Sequence, residues 1–209
     1  MSEQEVFIAA QKAIGDIIEQ IGSEQWQRVV PDSWTRKPGS TLREVVNYHA
    51  YDDAWVPDVL AGKTTNEVGD TYAGDLLGAD PKASFAAIAE TATAAVREFH
   101  DLDKIVHLSY GDYPAREYLK HVTYFRGLRA YDLARFIGAD TTLPDELVRG
   151  LWNEIEPVAE EWRQLGVFGP AVPVAADAPL QDRLLGLVGR RAARAAAAQG
   201  DGAPADGRR

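Results

Sequence analysis

Residues 42–62 read LREVVNYHAYDDAWVPDVLAG, and this stretch decides the fold class. Apolar side chains recur at Leu42, Val45, Val46, Val56 and Leu60. Steps of three and four residues place them on one face of an α-helix, whereas a strand would alternate. Ser40 or Thr41 can cap the helix start, and Glu44 stands where it completes a capping box. Pro57 lies inside the pattern and predicts a kink or an early end. Two polar residues, His49 and Asp53, ride on the same apolar stripe.

Working outward, residues 2–21 carry a second stripe from Val6 through Ala10, Ile14 and Ile17 to Ile21, with Gly22 as the stop. Residues 23–39 hold Pro31, Pro38 and Gly39 and read as a connector containing Trp26 and Trp34. Gly62 to Gly78 reads as a loop. Asp80-Pro81 opens a third helix, because proline is accommodated at the first helical position, and Phe85, Ile88, Ala92, Val96 and Phe99 form its inner face. Residues 101–113 read as a loop with at most one short extended piece. Pro114 opens a fourth helix with Tyr118, Val122, Phe125, Arg129, Asp132 and Phe136 along one side, ended by Gly138. A fifth starts near Pro144 and bends at Pro157. Residues 166–178 form an extended strap, and a short helix runs from about Pro179 to Val188.

Amphipathic helices without a strand signal of any length predict an all-α chain. The expected architecture is a four-helix bundle with an additional C-terminal helix and strap, as a single domain over residues 1–189. The segment from Arg190 to Arg209 holds five arginines, two aspartates and mostly small residues, so it is expected to be a disordered tail.

Composition narrows the function. The chain has 209 residues, of which 45% are hydrophobic and 26% charged, as in a globular domain with a sizeable core. Its net charge of -10 argues against nucleic acid and anionic membrane surfaces as partners, since both need a basic face. There is no cysteine, which excludes disulfides, thiolate metal sites and a cysteine nucleophile. The acidic start, Met-Ser-Glu-Gln-Glu, is no signal peptide, and no apolar run approaches the ~18 residues of a membrane span. A cytoplasmic protein is expected. Glycine-rich phosphate loops, the dinucleotide fingerprint and the nucleophile elbow are all absent.

The polar residues on inner stripes are the candidates for chemistry. His49 with Asp53 one turn later suits a general base with its orienting carboxylate, or a metal ligand with its supporting acceptor. A packed core histidine with Asp53 turned to solvent gives the same pattern. Arg129 on an inner face needs a partner, for which Asp132, Asp53 or an anionic ligand could serve. Glu117 and His121 have the i,i+4 spacing of metal ligands, a spacing solvated pairs also show. Tyr48, Tyr51, Tyr118, Tyr124 and Tyr131 cluster on the second and fourth helices. Tyrosine pairs an apolar ring with a hydroxyl, which suits a pocket for a small polar molecule as well as ordinary packing.

Three segments resemble one known group. The stretch from Leu42 to Gly62 resembles the second helix of the DinB-like, mycothiol-dependent maleylpyruvate isomerase superfamily. Tyr131-Asp132-Leu133-Ala134-Arg135 with Ile137-Gly138 resembles its W-D-L-A-R-x-x-G segment. Phe168 to Val174, then Asp182 to Gly186 and Gly189-Arg190, resemble the C-terminal part of an actinobacterial branch. The resemblance implies a four-helix bundle. It also implies a divalent metal held by three side chains, at positions that match His49, Phe125 and Arg129. Phenylalanine has no donor atom and arginine stays protonated, so the usual metal centre is expected to be missing.

The expectation is therefore a metal-independent enzyme performing acid–base isomerase, cyclase or lyase chemistry on a small anionic substrate, in actinobacterial specialised metabolism. His49, Asp53 and Arg129 are its expected catalytic residues. Tyr48, Tyr124, Phe125 and Asp132 are the expected substrate contacts. The alternatives are a mycothiol-dependent S-transferase or isomerase, with mycothiol as co-substrate, and a non-catalytic small-molecule binder. A homodimer is a further expectation.

Overall fold

The computed structural model describes residues 1–192. The chain is mostly helical, with eight α-helices and one two-stranded sheet among the described residues. Two compact units, Met1–Leu147 and Val148 onward, occupy the span read from sequence as one domain. The expected tail starts at Arg190, but Arg190 N–H donates to the Leu185 carbonyl at 2.7 Å and Ala192 is buried, while its residues 193–209 lie outside those described.

In the first unit, α1 (Glu3–Ile18), α2 (Leu42–Ala61), α4 (Pro81–Glu98) and α5 (Ala115–Ile137) are the long elements. Helix α1 packs on α5 and α4, and α2 packs on α4 and α5. The stripe read on α2 is the buried one: Leu42, Val45, Val46, His49, Asp53, Val56 and Leu60 all lie inside. Thr41 caps α2 and Glu44 completes the capping box. Helix α2 does not end early at Pro57 but continues to Ala61. An interior proline costs about 3 kcal/mol. Burial of Val56, Val59 and Leu60 offsets it, at about 1.5–3 kcal/mol for each side chain.

Helix α5 departs from its expected face. Leu119, Thr123, Arg126, Ala130 and Leu133 form the centre of its buried side, flanked by Gly127 and Ala134. Small residues let α1 approach closely there. The bulky row of Phe125, Arg129, Asp132 and Phe136 lies round the helix from it, and Phe125 is 51% exposed.

Two loops also gain structure. A short helix, α3 (Thr65–Val68), with its own Thr64–Glu67 capping box, interrupts the loop after α2. The segment before α5 is an antiparallel hairpin of β1 (Ile105–Leu108) and β2 (Gly111–Pro114). Lys104, just ahead of β1, donates to the carbonyls of Leu60 and Ala61 at 2.9 Å each. It thereby satisfies the C-terminal end of α2 with a cation and fixes the hairpin beside that helix.

The second unit contains most of α6 (Asp145–Ile155), then α7 (Ala159–Gln164) and α8 (Leu180–Leu187). Pro157 separates α6 from α7 rather than bending one helix. The strap returns beside α8, where Val172 N–H donates to the Gly186 carbonyl at 2.9 Å. A second close approach brings Gly189 onto the backbone of Gly169.

Candidate functional site

A cleft of about 250 Å³ opens in the first unit between α2, α3, the hairpin and α5. From α2 come Tyr48, Tyr51, Asp52, Trp55 and Val59. Their three- and four-residue steps form a second stripe, adjacent to the core stripe on the same helix. The hairpin supplies His107 to Tyr110, α3 supplies Thr65, and α5 supplies Tyr118, His121, Val122 and Phe125.

The rings form two rows. On α2, Tyr48 stacks on Tyr51 with centroids 6.5 Å apart, and Tyr51 meets Trp55 at 6.0 Å. On the other side, Tyr110 lies 5.9 Å from the His121 ring, which meets Tyr113 edge-on at 5.3 Å. The Tyr110 hydroxyl and His121 Nδ1 are 3.2 Å apart.

Asp52 is the acidic group of this cleft, and no hydrogen bond from a described residue reaches it. Burial pushes its carboxyl up to about 7, with the Arg126 charge opposing and the neighbouring Asp53 adding to the rise. The Asp52 charge helps raise the phenols of Tyr48, Tyr110 and Tyr118. Burial lowers the His121 imidazole, partly offset by Glu117. Both protonation states of Asp52 are therefore accessible near neutral pH, as proton transfer requires.

His49, Asp53 and Arg129 do not meet in the cleft, and none of them lines it. His49 is 4% exposed and its Nδ1 has no hydrogen-bond partner among the described residues. Burial, then the nearby Arg129 and Arg126 charges, holds its imidazole neutral, well below its ordinary pKa. The anticipated His49–Asp53 bond is not formed, because Asp53 is engaged elsewhere. It accepts from Gln11 Nε2 at 2.6 Å and Arg126 Nε at 2.7 Å, with a further contact from Arg126 Nη2. Burial raises the Asp53 carboxyl and the Arg126 guanidinium pulls it back. Arg126 completes its own set with the carbonyl of Val122 at 2.8 Å and the ring of Phe7 at 4.9 Å.

Arg129 lies 4.5 Å over the Trp34 ring and 3.6 Å from the carboxylate of Asp132. Of the expected substrate contacts, Tyr48 and Phe125 line the cleft, Tyr124 is buried apart from it, and Asp132 serves Arg129. Glu117 pairs with Lys120 at 2.8 Å while His121 turns to Tyr110.

Sequence reasoning missed Asp52, Trp55, Tyr110 and Arg126. For Arg126 a signal existed: it falls in register with Leu119, Thr123, Ala130 and Leu133. For Asp52 the signal was weak, since it only borders the core stripe. Tyr110 joins the cleft through the hairpin, which no periodicity announced.

The three positions matched to a divalent-metal set do not fit one. Phe125 offers a ring to the cleft, and Arg129 places a fixed positive charge near His49. Among the described residues no three carboxylate or imidazole side chains gather as a metal-holding group, and no helix is long and apolar enough to cross a membrane. Compared with known protein families, with curated proteins and with solved structures, the chain matches none.

Proposed function

We propose that the cleft is the active site of a small-molecule enzyme of isomerase or lyase type, in which Asp52 gives and takes the proton. The observation carrying this reading is a carboxyl on the cleft wall, half-buried and without a hydrogen bond from any described residue, poised at about 7. A general acid or base works best when its pKa lies near the working pH, and such a group contributes about 10²–10⁴-fold in rate. His121, bonded to the Tyr110 hydroxyl, is a second proton carrier on the opposite wall. Two titratable groups with different surroundings are what a proton shift between neighbouring atoms needs.

This chemistry uses side chains and routes no step through a metal, in keeping with the residue types at positions 49, 125 and 129. Membership of the DinB-like superfamily belongs to the same proposal, resting on the three sequence segments quoted above. Mycothiol-dependent transfer has less support. A thiolate needs a nearby cation, and neither lysine nor arginine stands among the residues lining the cleft. A small anionic substrate meets the same difficulty, because Arg126 and Arg129 are held by Asp53, Asp132 and Trp34.

The test is proton exchange. A panel of small molecules is incubated with the protein in D₂O near neutrality and followed by NMR for deuterium entry or product formation. Wild type is expected to turn over at least one compound, and Asp52→Asn to be slower by a hundredfold or more. Full activity in Asp52→Asn, or a ¹³C carboxyl titration of Asp52 in the ordinary carboxylate range, refutes the proposal. Saturable binding with no turnover across the panel identifies a binding protein instead.

A further inference from the structure

We propose that the cleft takes a small organic cation, a substituted ammonium, whose charge sits against Asp52 while its carbon groups lie among Tyr48, Tyr51, Trp55, Tyr110 and Phe125. This rests on the cleft being the functional site and names the chemical class it accepts.

Three observations converge. The first is the wall. Six aromatic rings besides the imidazoles line a space of about 250 Å³, at the small end for a ligand pocket. Aromatic faces attract cations electrostatically, and such cages are a recurrent way of holding alkylated ammonium groups. The second is the missing partner. Asp52 receives no hydrogen bond from the described protein, although Asp53 beside it receives three. An ammonium ligand supplies the absent countercharge, whereas a neutral ligand leaves the carboxyl protonated and an anion is repelled by it. The third is the field. A chain with a net charge of -10 attracts cations over distance, and among the described residues lining the cleft there is no lysine or arginine to cancel that attraction.

Burial, the Arg126 charge and the Asp53 charge set the response of Asp52 to pH, and other titratable groups face it. Helix α2 presents Tyr48 and the Asp53 charge, the hairpin turn presents Tyr110, and α5 presents Tyr118 and Arg126. The phenols stay protonated through the neutral range, while Asp53 and Arg126 form a closed pair. His107, on the cleft edge, is held 2.8 Å from Asp112. His121, on α5, bonds the Tyr110 hydroxyl and burial disfavours its charged form, so Asp52 is the group whose ionisation the bound cation follows, and cation binding at acid pH expels a proton from it.

Calorimetric titration of the full chain at low salt tests this with matched pairs. Choline is compared with dimethylbutanol, its uncharged carbon isostere, and benzylammonium with benzyl alcohol. At about pH 8 at least one cation is expected to bind tenfold or more tighter than its isostere. At about pH 6 its affinity should fall roughly tenfold, the factor by which the ionised fraction of a carboxyl titrating near 7 declines. Asp52→Asn should abolish both the preference and the pH dependence. Phe125→Ala, at an exposed position where folding is safe, should weaken the cation by about two- to fivefold. Isosteres that bind as well as both cations, or cations that do not bind, overturn the inference. If Asp52 still titrates near 7 by ¹³C NMR in that case, the proton-transfer reading stands while the substrate class falls.

Discussion

Replacing Asp52 by Asn should stabilise the fold above neutrality, and the size follows from its surroundings. The carboxyl titrates at about 7 in the folded protein against an ordinary value of 3.8. At 1.36 kcal/mol for each tenfold change in equilibrium, that gap is worth about 4 kcal/mol. Water entering the open side of the cleft screens the charge, so about 2–4 kcal/mol is the expected range. The folded state binds the proton more tightly than the unfolded chain, so the wild-type contribution is most favourable below about pH 4. It is lost as pH rises through about 7 and is flat beyond. Asparagine has the same shape and no charge to desolvate. Urea denaturation of both proteins from about pH 4 to pH 9 gives the difference directly. Near pH 4 the two should differ little, and by pH 8 the variant should be more stable by the stated amount. A difference independent of pH, or an Asp52→Asn protein less stable at pH 8, would refute the claim that Asp52 is a desolvated, unpaired carboxyl.

Arg126→Met should destabilise by about 3–5 kcal/mol, because it leaves the buried Asp53 with Gln11 alone, and adding Asp53→Leu should recover much of the loss in the same denaturation assay. His49→Phe should remove an acid-side loss of stability. The wild-type imidazole is kept neutral in the fold, so protonation of the unfolded chain draws stability away as pH falls below 6.5, and the variant's thermal melting should lack that limb. Gly189→Ala should cost about 1–3 kcal/mol, since φ is +82° there and a new Cβ would sit 2.9 Å from the Gly169 backbone. Protection of amides around the strap, read by hydrogen exchange, should fall with it.

Much of the first unit was legible along the chain. The α2 stripe, the Thr41–Glu44 box, the Asp80-Pro81 start of α4 and the Gly138 end of α5 are local signals, and each is formed. Helix α5 was misread in one respect. Of the row expected inside, Tyr118 is buried but Phe125 is exposed, and Gly127, Ala130 and Ala134 mark the face on which small side chains permit close helix approach. The candidate site was legible in part. Tyr48 and Phe125, read as substrate contacts, line the cleft, while His49 and Asp53 share a stripe but not a hydrogen bond. Spacing along a helix says that two side chains are neighbours, and it does not say which neighbour from another helix reaches them first. Arg126 reaches Asp53 from α5, 73 residues away.

The order of residues, by itself, determined the helical class, the caps of α2 and α4, the stop of α5, and the acidic, cysteine-free composition, because each depends on nearest neighbours or on composition, whereas α1 ends at Ile18 rather than at Gly22. Tertiary structure alone decided which carboxylate is paired and which is left open. Asp52 and Asp53 are adjacent and chemically identical, and they differ only in which groups the packing of α1, α5 and the hairpin brings to them. Desolvation and pairing act through space, so two residues alike in sequence become one half of a closed ion pair and one titratable group on a cleft wall.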